Sequence, residues 1–257
     1  MILELDAGNT RIKWRIRQQR ENGEWVRVAN GSVFAQQEAP SVFIELGRQF
    51  ESLPLDRITR LLVACVRGEG FKTAFSALMT EKWHLHPEYA VVTETASGVH
   101  NGYREPVRLG VDRWLAMVAA YGQVRDACYV VDCGTTITVD LVSAEGRHLG
   151  GYIVPGLHLM REALENRSRA LASTQVAWDS VAPGDTTAAA IHNGILAMTL
   201  GFLRDLRQSQ AGQQSCWFLA GGDASVLAPW LGWECRLVPD LVMDGLVLTM
   251  LQSKNTG

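Results

Sequence analysis

Asp132, Gly134, Thr135 and Thr136 fall within five consecutive positions, and Asp6, Gly8, Asn9 and Thr10 repeat the arrangement at the start of the chain. In each stretch the glycine allows a sharp turn and lets a ligand approach bare backbone amides. Thr135 and Thr136 add hydroxyl donors, and each aspartate leaves a carboxylate at the mouth of an apolar run. Amides that hold phosphate oxygens, beside an acid facing a metal or its waters, suit a magnesium nucleotide. Superposed, Asp6 falls on Asp132, Gly8 on Gly134, Asn9 on Thr135 and Thr10 on Thr136. One such turn is ordinary hairpin chemistry. Two in equivalent settings, one in each half, point to two related lobes facing a cleft.

The elements that must position these turns are legible from periodicity. Tyr129 to Val131 reads as an apolar strand, followed by one in which Ile137, Val139 and Leu141 alternate with Thr138 and Asp140. At the first turn, Ile12, Trp14 and Ile16 alternate with Lys13, Arg15 and Arg17. Trp25 to Val33 is a third strand, Ser41 to Leu53 a helix closed by Pro54, and Thr59 to Val66 an apolar strand buried on both faces. A helix over Phe71 to Met79 and a short strand over Tyr89 to Thr93 follow. Periodicity then disappears from Glu94 to Gly110, and a loop of this length in a compact domain is usually functional or disordered. It ends at Gly110-Val111-Asp112-Arg113, where Trp114, Leu115, Met117, Val118 and Tyr121 open an amphipathic helix.

Beyond the second turn, His148 to Gly156 is a strand ending in a breaker, and His158 to Leu171 a helix. A long helix runs from Thr186 or Thr187 to about Gln208. Ser215 to Ala220 is a strand ending in Gly221-Gly222-Asp223, and Cys235 to Val238 is another, after a short helix. A last helix covers about Asp240 to Leu251. Strands alternating with helices after an antiparallel start indicate mixed α/β sheets.

The 257 residues accommodate one large domain or two modest ones, and the repeat favours two, over 1–112 and 113–257. A hydrophobic content of 47% supports a substantial core, and a net charge of −3 signals neither a nucleic-acid nor a membrane partner. The five cysteines form no C-x-x-C pair and fit reduced thiols in the cytoplasm. No signal peptide precedes the first strand, and no apolar run reaches the roughly 18 residues of a membrane helix. Walker-type phosphate loops, dinucleotide glycine fingerprints and serine-hydrolase elbows are all missing.

What remains is a set of carboxylates beside glycine turns, and here the chain resembles the type III pantothenate kinases of the actin, sugar kinase and Hsp70 superfamily. The resemblance rests on five motifs in order: Asp6 to Thr10, Gly110 to Arg113, Asp132 to Asp140, Gly150 to Leu157, and Gly221-Gly222-Asp223-Ala224. It implies two ribonuclease-H-like lobes with ATP in the cleft, and phosphorylation of pantothenate to 4′-phosphopantothenate, the first step of coenzyme A biosynthesis. Asp112 would be the general base. Asp6, Ala7, Gly8, Asn9, Thr10, Arg11, Ile12, Lys13 and Thr135 would surround the nucleotide. Tyr103, Gly110, Val111, Arg113 and Thr187 would shape the pantothenate pocket with Asp112.

The same resemblance implies magnesium near Asp6, a monovalent cation (potassium or ammonium) at Asp132, and a homodimer. Simpler structural readings stand beside these. Asp112 suits a helix N-cap, Tyr103 a packed loop aromatic, Lys13 a solvated strand face, and either Thr186 or Thr187 a cap for the long helix. The alternative in function is a non-catalytic regulator that keeps the nucleotide fold.

Overall fold

Two hairpins of alternating burial seed two sheets. The computed structural model describes residues 1–35, 39–165, 177–209 and 215–252. Contacts divide it into two units, the first of Met1–Gly122 with the C-terminal helix and the second of Gln123–Asp240.

In the first unit, β1 (Ile2–Ala7), β2 (Arg11–Gln19) and β3 (Trp25–Phe34) form an antiparallel meander, and β4 (Arg60–Cys65) and β5 (Pro87–Tyr89) add in parallel beside β1. The order is β3-β2-β1-β4-β5. Parallel neighbours need crossovers, which α1 (Ala39–Phe50) and α2 (Glu69–Trp83) supply. Leu3, Leu5 and Ala7 share one core with Ile12, Trp14 and Ile16, closed by Val42, Leu46 and Phe50 of α1 and by Phe71, Phe75 and Met79 of α2. The other face of β1 carries Ile2, Glu4 and Asp6, because successive side chains point to opposite sides. Helix α7 (Leu241–Gln252) packs onto β1 and β4 and also meets α3 (Val111–Val124).

The second unit repeats the plan. Strands β8 (Cys128–Cys133), β9 (Thr136–Val142) and β10 (His148–Pro155) are antiparallel, and β11 (Cys216–Ala220) and β12 (Arg236–Leu237) extend the sheet in parallel. The order β10-β9-β8-β11-β12 is that of the first sheet. Helices α4 (Leu157–Glu165), α5 (Thr187–Ser209) and α6 (Ala224–Leu231) complete it. Leu196, Leu200 and Leu203 of α5 and Leu227 and Leu231 of α6 pack on Val131, Val139 and Leu219. Tyr129 stacks on Trp217 with centroids 4.3 Å apart. Each sheet has the ribonuclease-H-like order, and the duplicated hairpin marks two copies of one plan.

Several expected boundaries move. The chain does not divide at 112/113. Arg113 to Tyr121 of α3 are continuously buried, so this stretch of the helix is enclosed rather than amphipathic. The C-terminal helix likewise joins the first unit, where it packs on β1 and β4, and Gly245 lies against the Leu115 carbonyl with no room for a Cβ. The strand expected at Tyr89 to Thr93 lies earlier, since β4 offers partners only to Pro87, Glu88 and Tyr89. The aperiodic stretch 94–110 contains a small hairpin, β6 (Thr95–Ala96) with β7 (Val99–His100), and a 3-10 turn at Pro106–Arg108. Of the helix expected over His158 to Leu171, positions 166–171 lie outside the described residues. Among the described residues no helix is long and apolar enough to cross a membrane.

Candidate active site

Asp6 is the penultimate residue of β1, and Lys13 of β2 lies directly opposite it in the ladder. Directly opposed residues share a face, so the acid and the cation that bracket the first turn point to the same side. Lys13 therefore accompanies the carboxylate. The turn is tight: Gly8 donates its amide to the Arg11 carbonyl at 3.1 Å, and a Cβ on Gly8 would stand 2.9 Å from that oxygen. The Thr10 carbonyl accepts from Ala35, which ties the turn to the end of β3. Asn9 and Arg11 are exposed, whereas Ala7 and Ile12 are fully buried and offer a ligand only their backbone. The Arg11 guanidinium lies over Phe34, 4.5 Å from the ring centre.

The second turn is one residue shorter. Cys133 pairs with Ile137 and Asp132 with Thr138, whereas Ala7 pairs with Ile12 and Asp6 with Lys13. The expected equivalence of Thr10 with Thr136 therefore slips on the outgoing strand, where Lys13 corresponds to Thr138. Gly134 donates to the Thr136 carbonyl at 3.0 Å. Two distant glycines close on this turn. Gly156 donates to the Thr135 carbonyl at 2.9 Å, and a side chain there would run into the Gly134 carbonyl. Gly221, at φ +88°, has no room for a Cβ against the Cys133 carbonyl and the Asp132 carboxylate. The Asp223 amide donates to the Cys133 carbonyl at 2.9 Å.

The breakers at the ends of β10 and β11 thus form a backbone cradle around the Asp132 turn. Burial raises the Asp223 carboxyl above its ordinary range, and His158, 3.4 Å away, opposes the shift. Burial also pushes the Cys133 thiol far up, so this cysteine is an inert wall rather than a nucleophile. Neither His158 nor the convergence of Gly156, Gly221 and Asp223 on one turn was singled out from the sequence. The available signal was that both breakers end strands flanking the β8–β9 hairpin.

The acceptor-side residues gather at the start of α3. The helix begins at Val111, with the Gly110 carbonyl accepting from Trp114 at 3.0 Å, so Asp112 sits inside the first turn rather than at the cap. Its Oδ1 accepts the Arg113 amide at 2.8 Å. A Cβ on Gly110 would meet that oxygen at 2.6 Å, so glycine there makes room for the carboxylate. A helix N-terminus stabilises the ionised acid. The Arg113 side chain is buried and donates through Nη1 to the Tyr103 hydroxyl at 2.8 Å. The Tyr103 amide in turn donates to the Asn101 side chain. Tyr103, Gly110, Val111, Asp112 and Arg113 are therefore one cluster in the first unit, beside a loop with no periodicity of its own.

Thr186 and Thr187 separate. The Thr186 hydroxyl accepts the Ala189 amide at 3.2 Å and caps α5, leaving Thr187 as the exposed first helical residue of the second unit. Two cavities of about 510 Å³ in the first unit, one beside Phe34 and Gln49 and one beside Arg60 and Glu88, include none of the expected residues.

Two ribonuclease-H-like units, each opening with an acid-tipped glycine turn, define an actin-like α/β fold. Solved structures agree in fold. A Campylobacter jejuni protein provisionally described as a Baf family transcriptional activator aligns with TM-score 0.60 and 20% identity, covering 99% of this chain and 100% of that one. A Sinorhizobium meliloti protein provisionally described as a 2-dehydro-3-deoxygalactonokinase aligns at 0.58 and 13%, covering 96% and 97%. At such identities the likeness is of fold alone. A model of the type III pantothenate kinase family matches residues 2–209. The type III pantothenate kinase of Pseudomonas aeruginosa (strain LESB58) is 40% identical over 258 residues, covering 96% of this chain and 98% of that one. The chain belongs to the type III pantothenate kinase family.

Proposed function

We propose that this protein phosphorylates pantothenate at its primary hydroxyl with ATP, yielding 4′-phosphopantothenate for coenzyme A synthesis. The observation that carries the reading is the α3 cluster: an acid held in the first helical turn by its neighbour's amide, beside a buried arginine whose fork faces a tyrosine hydroxyl. Arg113 would pair with the substrate carboxylate, Tyr103 would line the pocket, and Asp112 would orient the hydroxyl and take its proton. Phosphoryl transfer through a loose transition state rewards positioning over base strength, which suits a carboxylate kept ionised by a helix start. Thr187 would add a substrate contact.

Lys13 and the amides of Asn9 and Thr10 would hold phosphate while Asp6 faces the magnesium or its waters, and the Thr135 turn would hold phosphate in the second unit. The crowding at Gly8, Gly156 and Gly221 would serve this role by fixing the shape of the two turns, since a side chain at any of these positions would push the turn backbone aside. Magnesium bound with the nucleotide would neutralise the charge that develops on the phosphates. It needs only one or two carboxylates from the protein, which Asp6 would supply. Asp132 would lie at the monovalent-cation site, for potassium or ammonium, that the resemblance implies.

A homodimer is part of the same reading. Edge strand β10 exposes Leu149, Tyr152 and Ile153, a surface a second copy would cover; sedimentation tests it. The deciding assay combines protein, magnesium ATP and pantothenate, with and without potassium or ammonium. Product in the wild type and a large loss in Asp112→Asn support the reading. Equal rates would remove Asp112 from catalysis. No product under any cation would favour a regulatory role for the nucleotide fold.

A further inference from the structure

Two residues back from Asp6 along the same face of β1, Glu4 is completely buried. Its carboxylate accepts from Nε of Arg15 at 2.5 Å and from Nε of Arg17 at 2.6 Å. Arg15 is the cross-strand partner of Glu4, as Lys13 is of Asp6, so the two acid–base pairs are successive pairs on one face of the ladder, with the Leu5–Trp14 pair between them on the other face. Arg15 is 5% exposed and also reaches out of the sheet, its Nη2 standing 2.8 Å from Asp244 Oδ1 in the first turn of α7.

The far end of that helix is held as well. Arg60 of β4 donates to the Met250 carbonyl at 3.3 Å while it pairs with Glu88. A cation at the last carbonyls of a helix is favourable. Between these ends, Gly245 lies against the Leu115 carbonyl of α3, the helix whose first turn carries Asp112. Helix α7 therefore touches both the hairpin with the first glycine turn and the helix with the acceptor-side acid. A buried ion pair is a poor source of stability compared with apolar packing, because desolvation offsets the attraction. Its use lies in fixing one arrangement.

We propose that Asp244 is a positioning residue, acting through Arg15 to set the placement of the Asp6–Lys13 rung and so the affinity of the first turn for nucleotide phosphates. The inference rests on the proposal that this turn binds phosphate. It assigns to the C-terminal helix a role in that binding without contact to the ligand. Asp244 is 33% exposed on its side chain, so replacing it does not leave a hole in the core.

The test is equilibrium binding of magnesium ATP to the full chain, which needs no turnover, alongside KM for each substrate and the melting temperature. Asp244→Asn is nearly isosteric and removes the charge, and Asp244→Glu restores it. Expected are a roughly five- to twenty-fold weaker magnesium ATP affinity in Asp244→Asn, substantial recovery in Asp244→Glu, and a KM for pantothenate within about twofold of wild type. Arg15→Lys, which cannot fork between Glu4 and Asp244, should give the same signature by a second route.

Equal magnesium ATP affinity across these folded variants overturns the proposal. So does a parallel loss for both substrates that tracks the melting temperature, since that reports a merely structural role. Weakened nucleotide binding in a protein that never phosphorylates pantothenate would sink the proposed activity and leave this inference standing.

Discussion

Arg113 donates to the Tyr103 hydroxyl at 2.8 Å, with its guanidinium carbon 5.7 Å from the centre of the tyrosine ring. A buried cation is thereby aimed by a loop residue ten positions earlier. Tyr103→Phe keeps the ring and removes the acceptor, and it should raise KM for pantothenate roughly three- to tenfold with kcat little changed. Arg113→Lys loses the planar fork and should cost more, because an ammonium cannot match a carboxylate at two points. Steady-state kinetics with pantothenate varied at saturating ATP distinguish the two. An unchanged KM in both variants would remove this pair from the acceptor pocket.

Gly110 and Gly222 make a matched test of crowding. A methyl at Gly110 would sit 2.6 Å from Asp112 Oδ1, whereas nothing lies within 4 Å of one at Gly222. Gly110→Ala should therefore push the carboxylate aside and lower kcat by an order of magnitude or more, with a modest loss in melting temperature. Gly222→Ala should stay within about 0.5 kcal/mol of wild type in stability. Comparable kcat in the two variants would show that the space at Gly110 is not what seats Asp112.

The cradle around the second turn should be sensitive in the same way. Gly156→Ala would force the β8–β9 turn away from the loop after β10, with an expected cost of about 1–3 kcal/mol and weakened nucleotide binding. Urea unfolding and magnesium ATP titration read both. Full stability with full affinity would mean that the two segments part without consequence.

Thr186 and Thr187 have separable roles. Thr186→Ala removes the hydroxyl that accepts the Ala189 amide and should lower stability by roughly 1 kcal/mol. Thr187→Ala leaves that cap intact and should act on KM for pantothenate instead. Thermal melts and kinetics on the two single variants reveal whether the effects are exchanged.

Stability should fall in base. Burial pushes the Cys128 thiol from 9.0 up to about 12. A thiol with a raised folded-state pKa stays protonated in the native protein while the unfolded chain ionises. Its contribution is present below about pH 9 and is lost as pH rises from there to about 12, at about 1.4 kcal/mol per pH unit. Urea midpoints at pH 8 and pH 10 should differ less in Cys128→Ala than in the wild type, once the variant's own cavity cost is subtracted at pH 8. An identical pH dependence in the two proteins would contradict the assignment.

Much of the fold was legible because its signals are local. Alternation around Asp6 and Asp132 located both hairpins, and the apolar run at Leu61 to Cys65 marked a strand buried on both faces. The weakest boundaries were those that depend on a partner elsewhere. Strand β5 ends at Tyr89, whose partner is Val63 of β4, and Val91 beyond it is exposed despite its apolar side chain. Helix α3 looked amphipathic, but Arg113 to Tyr121 are all buried, and part of what meets the helix, Gly245 and Leu248 of α7, comes from the far end of the chain.

By itself, the order of residues determined that this chain has two acid-tipped glycine turns, an acid and an arginine at the start of a helix, and a mixed α/β plan. Those features follow from backbone freedom at glycine, from the period of burial and from side-chain chemistry, all properties of neighbours in the chain. Tertiary structure alone decided which atoms meet. It brought Gly156, Gly221 and Asp223 to the Asp132 turn, set Tyr103 against Arg113, gave the α5 cap to Thr186, and joined Glu4, Arg15 and Asp244 beneath the first hairpin. Such contacts depend on close packing between segments far apart in the chain, where a missing side chain or a single buried charge selects one arrangement over its alternatives.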